Sequence, residues 1–457
     1  MMKFILNQEI VNIDEPLGYS TLDFLRNKGM KGVKEACHEG ECGVCMILLG
    51  ELKDKNVEYK AITSCILPLG EIVGKHVVTI EGLNQEKLSP IQQALVDEGA
   101  SQCGFCTPGF VVSLTGFFLN EKFEKKDILT SIEGNLCRCG AYAAIIRSAE
   151  KLAKEISVED KKSQARIQKL IEIGILPAYF SDIANQLDKL KESRSTKLLK
   201  EGTFVAGATD LLVQQESLSD PIFLSEKELS GIHLDGNYIY IGATTSMEDI
   251  RISEELNALF NTKQDISLVS AFPIRLQATL GGNLVNASPI GDLIIYFLAL
   301  DAEISLKNEK DGRIIKLKDF YKDYKIMDIE KGEIIEWLRI NNKERLFNFE
   351  KVARRQYMDI ASVNSAISFD LNNDKIQNAH LSAGGVAPVP KYLEKTSNYL
   401  ENKKISEDIL KEAVKIADSE VSPIDDVRGS ARYKRLLLRQ LIYAHFLTLF
   451  PDLEVSL

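Results

Sequence analysis

No cysteine occurs after residue 139 of this 457-residue chain, although eight stand up to and including that position. No apolar run approaches the roughly 20 residues that a membrane-spanning helix needs. Basic residues are the minority, 56 against 66 acidic, and the net charge of −10 argues against a nucleic-acid surface, which would need a clustered basic face. The start, MMKFILNQEIVNID, has neither the charged opening nor the cleavage site of a signal peptide. Neither G-x-G-x-x-G nor a G-K-[ST] phosphate loop is present, which removes the Rossmann fingerprint and the P-loop. There is no internal repeat and no low-complexity tract. With 45% hydrophobic and 27% charged residues, the expectation is a cytoplasmic, globular protein of about three domains.

That compartment decides how the cysteines are read. In a reducing cytosol, clustered thiols serve metals or redox chemistry rather than disulfides. Cys37, Cys42 and Cys45 lie within CHEGECGVC, and Cys65 follows after nineteen residues, the plant-type [2Fe–2S] spacing. Three thiolates converging from one loop require the backbone to fold round them. Gly40 and Gly43 supply conformations that side chains would obstruct, and bare amides there can donate to sulfur. The second set is Cys103-x2-Cys106 with Cys137-x1-Cys139. Each pair precedes an expected helix start, where free N–H groups and the dipole favour an anionic cluster. Structural zinc is the competing reading, but one residue between ligands is tighter than its usual two to four. His38 adjoins a ligand without a second histidine in a Rieske pattern, and is read as a loop residue.

Along the chain, residues 1–85 read as a small sheet crossed by one helix. A hairpin spans 3–13, a helix in STLDFLRNKG has Ser20 or Thr21 as N-cap and Gly29 as its stop, and strands follow in MILLGEL, VEYKAITS and HVVTI. Residues 86–156 read as four helices, the first opened by Ser89 and Pro90. SVEDKKSQARIQK shows no apolar face and places a linker at 157–176. Strands and helices mix over 177–345. A last block, 346–457, holds strands and then two helical runs.

Both cysteine sets in this order resemble the iron–sulfur region of the molybdenum hydroxylases, the xanthine dehydrogenase family, through CHEGECGVC with Cys65, QCGFCTPG (102–109) and GNLCRCGAY (134–142). FVAGATDLLV (204–213) and ATLGGNLVNASPIGDL (278–293) look like that family's flavin loops, and KVARRQYMDIASV (351–363) like the opening of its C-terminal flavin subdomain. Taken alone, the two loop segments read as ordinary tight turns whose N–H groups could also meet a pyrophosphate. The resemblance implies an α+β multidomain chain: a β-grasp plant-type ferredoxin domain (1–85), a four-helix [2Fe–2S] bundle (86–156), a linker (157–176), an α+β FAD-binding domain of the PCMH/VAO-like kind (177–345) and a C-terminal α+β flavin subdomain (346–457). It implies that Cys37, Cys42, Cys45 and Cys65 ligate one cluster and Cys103, Cys106, Cys137 and Cys139 another. It further implies that Phe204, Val205, Ala206, Gly207, Ala208, Thr209 and Asp210, with Thr279, Gly282, Asn283, Ser288 and Asp292, line the FAD. Gln102 and Cys139 would stand near the pterin of a partner. Where the family can carry a lysine near the flavin this chain has Ser362, and Arg354 and Arg355 read as a solvated basic edge.

The implied function is that of an oxidoreductase subunit in a purine-metabolising, xanthine dehydrogenase-like hetero-oligomer. It would take electrons from a molybdopterin-containing large subunit and pass them to NAD+. The family's hydroxylating domain has no counterpart in these residues, so no catalytic residue is expected. Two other readings compete: the same subunit serving a nicotinate, aldehyde or other N-heterocycle hydroxylase, and a zinc-stabilised assembly protein that transfers no electrons.

Overall fold

The computed structural model describes residues 2–120, 124–156, 164–191, 202–215, 217–226 and 228–455. It divides into two compact units: Met1–Phe223 with Ala271–Gln277, and Leu224–Ser270 with Ala278–Leu457. Among the described residues no helix is long and apolar enough to cross a membrane.

The first unit opens with the hairpin β1 (Met2–Leu6) and β2 (Glu9–Ile13), followed by α1 (Thr21–Asn27), β3 (Met46–Lys53), β4 (Asn56–Thr63) and β5 (His76–Val78). The sheet order is β2-β1-β5-β3-β4, with only β1 and β5 parallel, a β-grasp. Side chains alternate across a strand, and here both faces are covered. Phe4 and Ile47 pack with Leu22, Phe24 and Leu25 of α1. Met46, Leu48, Tyr59 and Ala61 join the core of the helices that follow.

Those helices are the short α2 (Ile80–Leu83), then α3 (Pro90–Asp97), α4 (Thr107–Asn120), α5 (Lys125–Ile132) and α6 (Tyr142–Glu155). Ser89 and Gln92 close a capping box at the start of α3, which contributes about 1 kcal/mol. From Gly109 to Leu119 every residue of α4 is buried, the mark of a helix enclosed on all sides. A Cβ on Gly116 would lie 2.8 Å from that of Ala61, so α4 packs directly on β4.

The expected linker is in part a helix, α7 (Gln164–Glu172), with Arg166, Ile167 and Leu170 buried; residues 157–163 lie outside the described ones. The apolar stripe was missed because it is short and begins inside the polar stretch, at Ile167. Arg166 is 2% exposed, and its Nε donates to the Phe118 carbonyl at 2.8 Å. A cation there also suits the negative C-terminal end of α4. The expected start of the flavin portion at 177 is likewise not where the structure divides. Leu176, Phe180, Ile183, Leu187 and Leu190, the last three on α8 (Ile183–Lys191), belong to the same core as α4.

In the second unit, strands Gly312–Lys316, Glu303–Lys307, Ile334–Asn341, Tyr238–Gly242 and Ile232–Asp235 form an antiparallel sheet in that order. A four-stranded sheet follows, from Leu346–Val352, Val363–Asn372, Lys375–Gly384 and Lys391–Tyr392. Its buried serines are anchored to a helix: Ser368 and Ser382 donate to the Ala299 and Ile295 carbonyls of the helix Asp292–Ala299. His445, on the long helix Ala431–Leu449, meets Asn348 and Ser365 through its two ring nitrogens.

Candidate functional site

The first cysteine set is built by a loop between α1 and β3 and by the end of β4. His38, Gly40 and Gly43 all take positive φ, at 58°, 75° and 66°, so the loop turns repeatedly without forming regular structure. The Glu39 N–H donates to the Cys37 sulfur at 3.5 Å, and the Val44 N–H serves Cys42. The thiols are gathered against one another. Hydrogen bonding to the Cys42 and Cys65 side chains pulls Cys37 down, and hydrogen bonding to Cys65 pulls Cys45 down. Cys42 and Cys65 are pushed up by the same contacts and by burial. Cys45 and Cys65 are buried, Cys37 and Cys42 half-buried. Ser64 donates to the Cys45 carbonyl at 2.8 Å and holds the end of β4 to the loop.

The second set stands at the starts of α4 and α6. Gly104 and Gly140, next to the paired cysteines, take φ of 81° and 75°. Cys103 is lowered by the Phe105 N–H and by donation from Cys139. For Cys139 the Cys103 N–H is the largest single influence and lowers it, but the Cys103 side chain, desolvation and the charges of Cys103 and Cys137 together raise it. Burial and donation to Cys137 push Cys106 up to about 12. Against its own desolvation, Cys137 is lowered by the Ala141 N–H, the Cys106 thiol and the N–H groups of Cys139 and Gly140. The Tyr142 hydroxyl accepts the Cys137 N–H at 2.7 Å. Cys137 is buried, Cys106 half-buried, and Cys103 and Cys139 are exposed. Around them Phe105 and Leu136 are exposed as well.

The two sets adjoin. The Leu136 N–H donates to the Cys42 carbonyl at 2.9 Å. Asn135 Nδ2 donates to the Gly43 carbonyl at 3.1 Å, and its Oδ1 accepts from Ser113 at 2.8 Å. A Cβ on Gly43 would fall 2.3 Å from the Gly134 oxygen, and one on Gly109 would fall 2.2 Å from the Gly43 oxygen. Gly43 and Gly109 therefore let three backbone segments touch where any side chain would hold them apart.

Ala271–Gln277 buttresses the same region. Arg275, 1% exposed, donates through Nη2 to Glu133 at 2.6 Å, four residues before Cys137. Pro273 abuts Gly134, and Gln277 donates to Thr63, two residues before Cys65, at 3.1 Å. Sequence reasoning missed Arg275. Its only signal was an arginine between Ile274 and Leu276 in an otherwise apolar stretch.

Among the described residues no group of three or more His, Cys, Asp or Glu is disposed to hold a single metal ion. What the thiols offer is two sets of four sulfurs, with backbone N–H groups turned toward them in both. That donor set fits an anionic, sulfur-rich cluster.

The segments expected to line a flavin lie in different units, 204–210 in the first and 279–292 in the second. In the first, the strand Thr203–Val205 runs into a turn where Ala208 takes φ 56°. Asp210, before the helix Leu211–Gln214, accepts from Gln214. In the second, Thr279 caps the helix Leu280–Asn286, its Oγ1 accepting the Gly282 N–H at 3.2 Å. A Cβ on Gly281 would fall 3.0 Å from Ala243, whereas one on Gly282 would meet only the Thr279 hydroxyl. Asn283 Oδ1 is buried without a partner, an acceptor that a bound group would satisfy. Ser288 Oγ lies 3.5 Å from the Ile290 N–H.

Asp292 is engaged on both oxygens, by Lys351 at 2.8 Å and by Asn364 at 2.6 Å. Lys351, whose side chain is 3% exposed, also reaches the Leu268 carbonyl at 2.8 Å. Neither Lys351 nor Asn364 was singled out in the sequence, though both fall in or beside the resembling stretch 351–363. Ser362 donates to the Arg428 carbonyl at 3.1 Å. Arg354 and Arg355 are exposed and donate to the main-chain carbonyls of Val427 and Met358.

A chain with two four-thiol sites and glycine-lined flavin segments is an iron–sulfur flavoprotein. Four family models match it in order: a 2Fe-2S iron-sulfur cluster binding domain at 4–69, a [2Fe-2S] binding domain at 79–150, an FAD binding domain in molybdopterin dehydrogenase at 156–341, and a CO dehydrogenase flavoprotein C-terminal domain at 348–449. Xanthine dehydrogenase of Dictyostelium discoideum is 29% identical over 98% of this chain and 40% of its own length. Xanthine dehydrogenase 1 of Arabidopsis thaliana is 27% identical over 93% of this chain and 38% of its own. Among solved structures, a chain of reconstituted CO dehydrogenase from Oligotropha carboxidovorans has a TM-score of 0.51 at 25% identity, covering 54% of this chain and 90% of that one. The chain belongs to the molybdenum hydroxylase family of oxidoreductases and corresponds to its iron–sulfur and FAD part. It spans about 40% of the length of the xanthine dehydrogenases that it matches.

Proposed function

We propose that this chain carries electrons from a partner's molybdopterin centre to NAD+ in a xanthine dehydrogenase-like assembly. Cys103, Cys106, Cys137 and Cys139 would hold the cluster nearer the partner, and Cys37, Cys42, Cys45 and Cys65 the inner one. The segments Phe204–Asp210 and Thr279–Asp292 would hold FAD. When bound, the two [2Fe–2S] clusters supply one-electron carriers, and FAD gathers single electrons into the pair that leaves as hydride.

The observation that carries this reading is the contact between the thiol sets, sealed by the Leu136-to-Cys42 hydrogen bond, with the more exposed set on one side and the more buried one on the other. The chain's own groups then have distinct tasks. Backbone amides hold the sulfurs in place, and Thr279 caps the start of the helix Leu280–Asn286 by accepting the Gly282 N–H. Lys351 and Asn364 fix Asp292 at the start of the next helix, Asp292–Ala299. The exposed surface around Gln102, Phe105 and Cys139 would receive the molybdopterin subunit.

A second reading keeps the architecture and changes the substrate to nicotinate, an aldehyde or another N-heterocycle. It draws on the match of residues 348–449 to a CO dehydrogenase flavoprotein domain and on Ser362 in place of the family's lysine.

The test is to purify the chain anaerobically from its native source with whatever accompanies it. Metal, sulfide and flavin are then assayed, and NADH formation is followed with xanthine and with the other candidate substrates. About four iron, four sulfide and one FAD per chain, with xanthine-dependent NADH, are expected. Zinc without sulfide would overturn the electron-transfer reading. Full cofactor loading with activity only on another substrate would favour the second.

A further inference from the structure

The second unit contains a polar cavity of about 520 Å³ that the electron-transfer reading does not use. It opens where several segments end together: Asp301 just beyond the helix Asp292–Ala299, Lys343 and Arg345 between two strands, and Asp370, Asn378 and His380 on the strands of the four-stranded sheet. The helix Asp292–Ala299 begins at the flavin segment, so the cavity lies at that helix's other end.

The charges around it are unevenly matched. Asp370 accepts from Lys343 at 2.8 Å and from Asn378 at 2.9 Å. Asp301 is paired with Lys316 at 2.8 Å. Arg345 has neither carboxylate as a direct partner. Its Nη2 donates to the Asn378 carbonyl at 2.6 Å, a neutral acceptor, and its Nε is buried with no acceptor at all. Burial lowers its pKa, and Asp370 and Asp301 oppose this only at longer range. His380 adds no positive charge near neutral pH, because burial holds it down at about 4. A half-buried guanidinium beside acids that lysines already neutralise, with only a neutral carbonyl accepting from its Nη2, is an arrangement that an anion completes. Asn342, exposed at the rim, offers a neutral donor beside it.

We propose that this cavity is a binding site for a small oxyanion, recognised through charge by Arg345 and through hydrogen bonding by Asn342. The oxyanion would be free phosphate or the phosphoryl group of a small ester.

The test is calorimetric titration of the flavin-loaded chain with inorganic phosphate and, separately, with ribose 5-phosphate. Saturable binding is expected, weakened about tenfold or more in Arg345→Gln and about threefold in Asn342→Ala. Tighter binding of ribose 5-phosphate would identify an ester as the occupant, and equal binding the free ion. Because Arg345 is partly buried, Asn342→Ala at the exposed rim decides the matter if Arg345→Gln does not fold. Absence of saturable binding of either probe to the wild-type chain, or unchanged affinity in Asn342→Ala, would overturn the proposal. Neither readout depends on the iron centres or on NAD+.

Discussion

The two thiol sets share a ligand count and differ in their surroundings. Cys45 and Cys65 are 2% and 4% exposed and belong to the same apolar core as Phe4 and Phe24. Cys103 and Cys139 are exposed, and only Cys137 of the second set is buried. The first set is held by a loop with three positive-φ residues, the second by two helix starts that need less contortion. The contrast separates two jobs. One site is enclosed and tied to the fold, and the other faces outward, where something must reach it.

Substituting one cysteine in each set gives the largest effects. Cys65→Ser and Cys139→Ser should each reduce iron from about four to about two per chain. In Cys65→Ser the loss occurs inside a core, and the first unit should be destabilised by at least about 3 kcal/mol. Cys139→Ser should leave the urea midpoint nearly unchanged. Equal shifts in the two variants would break the distinction between enclosed and outward sites.

Next comes Glu133→Gln, which leaves the buried Arg275 charge without its carboxylate. A cost of about 2–3 kcal/mol is expected, at the lower end for a buried pair because the Glu133 side chain is 24% exposed. The spectroscopic signal of the second cluster should respond before that of the first.

Gly43→Ala combines a positive φ with a close approach to Gly134, for about 2 kcal/mol. Because it wedges apart the contact between the sets, the electron paramagnetic resonance signals of both reduced clusters should change together. A change confined to the first would show that the contact does not couple them. The smallest effects are expected from single hydroxyls. Ser64→Ala, in the buried site, should cost about 1 kcal/mol. Tyr142→Phe should cost less, since water can replace the hydroxyl of a side chain that is 37% exposed. Thermal unfolding of the two variants side by side measures that difference.

Much of this was legible in the sequence because its signals are local. The cysteine spacing, the Ser89–Pro90 opening and the alternation in MILLGEL and VEYKAITS need no knowledge of distant residues. The hairpin at 3–13 and the four helices of the bundle stand where the pattern put them. What failed was non-local. The apolar face of α7 consists of few residues after a polar run, and its role appears only once Arg166 reaches the Phe118 carbonyl. Arg275 and Glu133 are 142 residues apart, beyond any periodicity. Asp292 was selected by resemblance, but its engagement by Lys351 and Asn364 depends on a sheet formed 59 to 72 residues later.

The seven residues Ala271–Gln277 bear on how such a chain can be taken apart. They sit in the sequence of the flavin portion, inside the span matched by its family model, yet they fold with the iron–sulfur portion. No single cut yields a complete iron–sulfur half. A break after Phe223 strands Glu133 without Arg275 and Thr63 without Gln277, and a break after Gln277 carries along a stretch that belongs elsewhere. Recombination between relatives therefore cannot exchange these halves as clean cassettes, because seven residues that complete the first unit are encoded within the sequence of the second.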